Sequence, residues 1–122
     1  MTVVLWILQV LLAAVFLAAG GMKLARPKEA LLDKMGVLGG YRPLTIKLIG
    51  GAEVLGAAGL ILPPLVGLDG LVPWAALGLA SVMVAAAIAH GERGEWPKVG
   101  VPVVLLALAL VVVYGRSAGL PL

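Results

Sequence analysis

Cysteine is absent from the 122 residues, and histidine occurs once. The first absence excludes a disulfide framework, a thiolate metal site and dithiol redox chemistry by this chain alone. The second leaves too few imidazoles for a haem with two axial histidines, unless another chain supplies one. Charge is scarce as well. Charged residues make up 12% of the chain, against about 25% in soluble domains. Hydrophobic residues reach 62%, with a mean hydropathy of +1.15. A soluble domain of this length has no interior large enough for so much apolar surface, so the composition describes an integral membrane protein of one domain. HExxH, the P-loop, the dinucleotide fingerprint and G-x-S-x-G are missing too. Gly20-Gly21 and Gly50-Gly51 lie inside apolar helical runs, not in strand–turn–helix contexts, so they are not phosphate cradles.

What is present is four apolar runs. The first, residues 3–25, carries no side-chain charge before Lys23. It lacks the basic start of a signal peptide and reads as a retained membrane helix. The second covers residues 43–62 and stops at Pro63-Pro64. The third covers residues 71–90, with Pro73 in its first turn, and is rich in Ala and Gly. The fourth, residues 97–114, is long enough only if it begins near Pro97, which puts Pro102 near the first turn. Between the first two runs, Pro27 suits a helix start and Gly36 a helix end, with Leu31, Leu32 and Met35 apolar among charged neighbours. That pattern predicts a short helix lying in the interface. Short loops between spans imply an all-α, up-and-down four-helix transmembrane bundle.

The net charge of +3 does not point to nucleic acid, because the basic residues crowd the gaps between apolar runs. Lys23, Arg26, Lys28, Lys34, Arg42 and Lys47 flank the first loop, and Arg93 and Lys98 the third; only Arg116 lies on the other side. The excess of basic residues predicts both termini outside and the first and third loops in the cytoplasm. Trp6, Trp74 and Tyr114 then fall at the outer interface, and Tyr41 and Trp96 at the inner one.

Glu53 is the acidic residue that lies well inside an apolar run. Helical spacing puts Gly50, Gly56 and Ala57 on its face, so its carboxyl points into a bundle of closely approaching helices. A charge at the bilayer centre costs roughly 2.5–3.5 kcal/mol on insertion scales, so it usually has a partner or a task. Lys23, Glu53 and His90 are candidates for one cytoplasm-facing pocket. Each also has a plainer reading: Lys23 as an interfacial anchor, His90 as a helix-end residue, and Gln9 as one hydrogen bond to a neighbouring helix. Lys47, six residues before Glu53 and on another face, is expected to snorkel to headgroups. A sealed Glu–Lys pair favours a structural role for Glu53; an open apolar cavity favours a bound lipid or quinone.

Three segments carry a family resemblance. Phe16-Leu17-Ala18-Ala19-Gly20-Gly21-Met22-Lys23-Leu24 resembles the G-x-x-K signature of DoxX-like membrane proteins. Ile49-Gly50-Gly51-Ala52-Glu53-Val54-Leu55-Gly56-Ala57-Ala58-Gly59-Leu60 resembles their G-x-x-E-x-x-G-x-x-L helix, and the run from Met83 to His90 their Ala-rich helix closing on histidine. The resemblance covers nearly the whole chain in order. It implies a four-helix protein of a bacterial plasma membrane, related to subunits of quinol- or thiosulfate-linked redox complexes, with Lys23, Glu53 and His90 as the family's polar positions. The missing cysteines and second histidine argue against autonomous redox activity.

Two functional readings follow. One is an accessory or interaction subunit of a membrane redox or lipid-linked process, with a membrane oxidoreductase or a second copy of itself as partner. In that reading no cofactor is bound, or a quinone or lipid is held near Glu53 by the tentative ligand residues Glu53, Lys23, His90 and Gln9. The other is a proton-coupled small-molecule transporter acting as an oligomer, although in small multidrug transporters the key glutamate lies in the first helix, which here has no acid. A cofactor-free enzyme using Lys23, Glu53 and His90 in acid–base work stands third.

Overall fold

A computed structural model of the chain describes residues 3–29 and 41–118. Among the described residues four helices dominate: α1 (Val3–Ala25), α2 (Pro43–Leu65), α3 (Val72–Glu92) and α4 (Trp96–Ala118), with a 3-10 turn at Asp69–Leu71 before α3. All four are long and apolar enough to cross a membrane. At about 1.5 Å per residue they span some 32–35 Å, against a hydrocarbon core of about 30 Å. The expected interfacial helix runs over residues 27–36, of which 30–36 lie outside the described residues.

The buried positions of α1 are Leu5, Gln9, Leu12, Ala13, Phe16, Gly20 and Lys23. Those of α2 are Ile46, Gly50, Glu53, Ala57 and Leu60. Steps of three and four residues trace one face of each helix. Gln9, Lys23 and Glu53 therefore sit on the same inward stripe as the leucines. The outward faces are no more polar: Leu17, Leu48, Leu55, Leu62, Val101 and Trp74 are all exposed. A helix that is apolar all round belongs in a membrane.

Each helix packs on the next, and α4 closes on α1. Leu12, Phe16, Leu60, Leu79, Met83, Ala109 and Val112 meet in the core. Small residues set the spacing. A methyl added at Gly56 would stand 2.5 Å from Leu79, one at Gly59 2.7 Å from Ala75, and one at Gly115 2.7 Å from Leu5.

Contrary to the sequence expectation, α2 does not stop at Pro63-Pro64 but passes through both prolines to Leu65. Proline lacks the N–H that would bond four residues back, which in a membrane leaves a carbonyl needing a donor. The carbonyl Pro64 leaves free is that of Leu60, and the Gln9 amide donates to it at 2.6 Å. The helix then closes through Gly67 at φ 79°, with the N–H of Leu68 donating to the Pro63 carbonyl at 2.8 Å. This is a glycine cap of the Schellman type.

Candidate functional site: a buried lysine–glutamate pair

Glu53 is turned inward from the middle of α2 and is 1% exposed. Lys23, near the end of α1, is 9% exposed, and its Nζ donates to Glu53 Oε1 at 2.5 Å. Two glycines let the backbones come this close. A Cβ at Gly20 would lie 2.6 Å from the Gly50 carbonyl oxygen, and one at Gly50 would lie 2.8 Å from Lys23 Cβ. The ammonium makes this one hydrogen bond, and Glu53 Oε2 accepts none among the described residues. Removing two charges from water is costly, and a short, well-directed contact offsets that cost. The pair is buried, with 11% of the Lys23 side chain and 1% of the Glu53 side chain exposed.

Lys47 departs from expectation. Rather than snorkelling, its Nζ donates to the carbonyls of Lys23, Leu24 and Arg26, each at 2.8 Å. The last carbonyls of a helix have no N–H of their own, and a cation there also meets the negative end of the dipole. Lys47 thus uses all three of its donors to cap α1. No spacing within one helix signals a partner 24 residues away.

His90 does not join the Lys23–Glu53 hydrogen bond. Its Nδ1 lies 3.0 Å from Glu95 Oε1. The turn after α3 makes that contact: Gly94 takes φ 71°, its N–H donates to the Gly91 carbonyl, and the Glu95 N–H donates to the His90 carbonyl at 2.9 Å. A second glycine cap folds the chain so that residue 95 returns to residue 90. Arg93 Nε at 3.3 Å and Lys98 Nζ at 3.5 Å also face the Glu95 carboxylate. Glu95 was not singled out from sequence; a carboxylate one residue after a glycine cap is the signal that was available. Beside this turn runs a shallow apolar groove lined by Ala87, Ile88, Gly91, Glu92 and Trp96.

The hydrogen bond with His90 holds the Glu95 carboxyl below its usual 4.5, against desolvation that raises it, and Arg93 and Lys98 add to the lowering. A depressed carboxyl stabilises the fold above its unfolded pKa and loses that contribution as pH falls through the folded value. Protection of the amides across residues 94–98, corrected for the intrinsic exchange rate at each pH, should therefore fall when the pH drops below 4.5. Glu95→Gln should flatten that pH response; an unchanged response in the variant would remove Glu95 as its source.

Gln9 is fully buried and joins three helices. Its Nε2 holds the Leu60 carbonyl of α2, and its Oε1 accepts from Arg116 Nε of α4 at 2.7 Å. The Arg116 guanidinium also lies over the Trp6 ring, 5.7 Å from its centroid. Sequence reading placed Arg116 only as the lone basic residue beyond the fourth run. Among the described residues no three of His, Cys, Asp or Glu gather as a metal-ligand set. Of the four tentative residues, the structure joins Lys23 to Glu53, and puts Gln9 and His90 in two other clusters.

Comparison with curated proteins and with solved structures gives no match. The DoxX-like family model matches residues 7–112, a stretch that holds Lys23, Glu53, His90 and Gln9, and the chain is a member of the DoxX-like family of integral membrane proteins.

Proposed function

We propose that this protein is an accessory or interaction subunit of a membrane redox or lipid-linked process, and that the Lys23–Glu53 pair receives the polar end of a quinone or lipid. The supporting observation is spare hydrogen-bonding capacity at a buried ion pair. Among the described residues, Lys23 uses one of three N–H groups, and Glu53 one of two oxygens. A quinone carbonyl would accept from the ammonium, and a quinol hydroxyl would donate to Oε2. Transport needs a carboxyl open to water from each side in turn, and no observation favours that reading over this one.

The test is to purify the protein in mild detergent, extract it, and quantify quinones, lipids and co-purifying proteins. Wild type should retain a quinone or one lipid class in stoichiometric amount, together with a partner. The double variant Lys23→Met/Glu53→Gln should lose the ligand while staying folded. Equal retention by both would sink the proposed site.

In the same reading the bundle is up-and-down, with both termini outside. The contacts that support it run in opposite order along neighbouring helices: Gln9 meets Leu60 while Lys23 meets Gly50, and Gly56 meets Leu79 while Gly59 meets Ala75. The basic residues near the first and third loops supply the orientation. With no native cysteine, single replacements are clean probes. Ser117→Cys should react with an impermeant thiol reagent on intact cells, and Lys98→Cys only after permeabilisation. The reverse pattern overturns the orientation.

A further inference from the structure

We propose that Arg116, Gln9 and Trp6 form a second binding site, near the end of the bundle away from Lys23–Glu53, that takes a phosphate group through the end-on edge of the guanidinium. The site is independent of the Lys23–Glu53 reading. Fourteen residues of α1 separate Gln9 from Lys23, about 21 Å of helix.

The orientation of Arg116 is already determined by the protein. Its Nε is held by Gln9, which in turn is held by the carbonyl that Pro64 leaves free. The ring of Trp6 supports one face of the guanidinium. Every donor on the Nε side is thus accounted for, and the other edge is bare. Among the described residues, Nη2 is buried without a hydrogen-bond partner, and Nη1 makes no bond. Among the described residues, no carboxylate lies within ion-pair distance of the cation. A charged donor left this way is costly, more so than a neutral one.

What the bare edge lacks is a group with two acceptor oxygens and a negative charge. Nη1 and Nη2 present parallel N–H bonds that match two oxygens of a phosphate. Arg116 is half-buried and Nη1 is not enclosed as Nη2 is, so a phosphate reaches the fork through Nη1 and engages Nη2 as the side chains covering it move aside. It lies in the last turn of α4, beside a tryptophan in the first turn of α1. Those are interface positions, the depth at which lipid phosphates lie. The phosphate can come from a lipid headgroup or from solution.

The test uses the full-length protein with Trp74→Phe and Trp96→Phe, so that Trp6 emission reports the site. Three probes are titrated in neutral detergent: a short-chain phosphatidylglycerol, the diacylglycerol with the same chains, and inorganic phosphate. Phosphatidylglycerol should change the emission saturably and diacylglycerol should not. Saturation by inorganic phosphate as well identifies a free anion as a source; saturation by the lipid alone identifies the headgroup. Arg116→Lys keeps the charge and loses the fork, and should weaken binding roughly tenfold, equivalent to one charge-assisted hydrogen bond. Gln9→Glu supplies an internal carboxylate and should abolish binding. Melting curves confirm that each variant is folded. The proposal is overturned if neither phosphate probe saturates, if diacylglycerol matches phosphatidylglycerol, or if Arg116→Lys titrates like wild type.

Discussion

Lys23→Met is expected to destabilise the bundle by about 3–5 kcal/mol, the cost of leaving one partner of a buried ion pair alone. Glu53→Gln should cost a similar amount for the converse reason: it strands an ammonium that has no other acceptor among the described residues. The double variant should recover most of the loss, because two neutral side chains of similar length can share the space between Gly20 and Gly50. A double-mutant cycle on reversible unfolding in bicelles measures the coupling directly. Its size is diagnostic. Interhelical hydrogen bonds in membranes average about 0.6 kcal/mol, so a coupling several times larger identifies an ion pair. Small, additive single effects would show that the contact contributes no more than an ordinary polar bond.

The second large effect concerns the glycines that bring the pair together. Gly20→Ala places a methyl 2.6 Å from the Gly50 carbonyl oxygen and 2.9 Å from Val54 Cγ2. A backbone oxygen on a neighbouring helix cannot turn aside as a flexible side chain can. The helices must separate, and the 2.5 Å contact between Lys23 and Glu53 lengthens with them. Overpacking costs about 1–3 kcal/mol, and Gly20→Val should exceed Gly20→Ala. Gly21 and Gly51, one residue along, have open space where a Cβ would go. There alanine should be neutral or stabilising by up to about 1 kcal/mol, from helix propensity alone. Thermal denaturation of the three alanine variants checks the contrast. Equal losses at positions 20 and 21 would mean that contact between α1 and α2 is not what these glycines serve.

The helices were legible from sequence because twenty-residue apolar runs are physically unambiguous, and Glu53 stood out because a carboxyl in such a run is rare. Its partner was half legible: Lys23 was near enough in depth, but whether it turned inward depended on Gly20 and Gly50 meeting across helices. The role of Lys47 is not legible in the sequence, because its acceptors are backbone carbonyls, which no side-chain pattern marks. The end of α2 was set too early, since two prolines normally close a helix; the compensating donor, Gln9, lies 51 residues away. His90 reads from sequence either as a helix-end residue or as one wall of a pocket with Glu53, and a left-handed glycine returns Glu95 to it. Arg116 was counted as a charge and not as a side chain, because its significance lies in what Gln9 and Trp6 do to it. What local sequence conceals in each case is a contact between distant segments.

The carbonyls that Gln9 and Lys47 satisfy bear on how the protein is made. Pro64 leaves a Leu60 carbonyl of α2 to be completed by α1, while α1 ends in carbonyls completed by a lysine of α2. Each helix carries the donor that the other lacks, and Lys23 and Glu53 divide one ion pair in the same way. Hydrocarbon offers no water to fill such gaps. During biogenesis neither helix is a finished membrane segment on leaving the ribosome: α1 and α2 complete these carbonyls and the ion pair only together, and the Gln9 oxygen is completed only when Arg116 of α4 arrives.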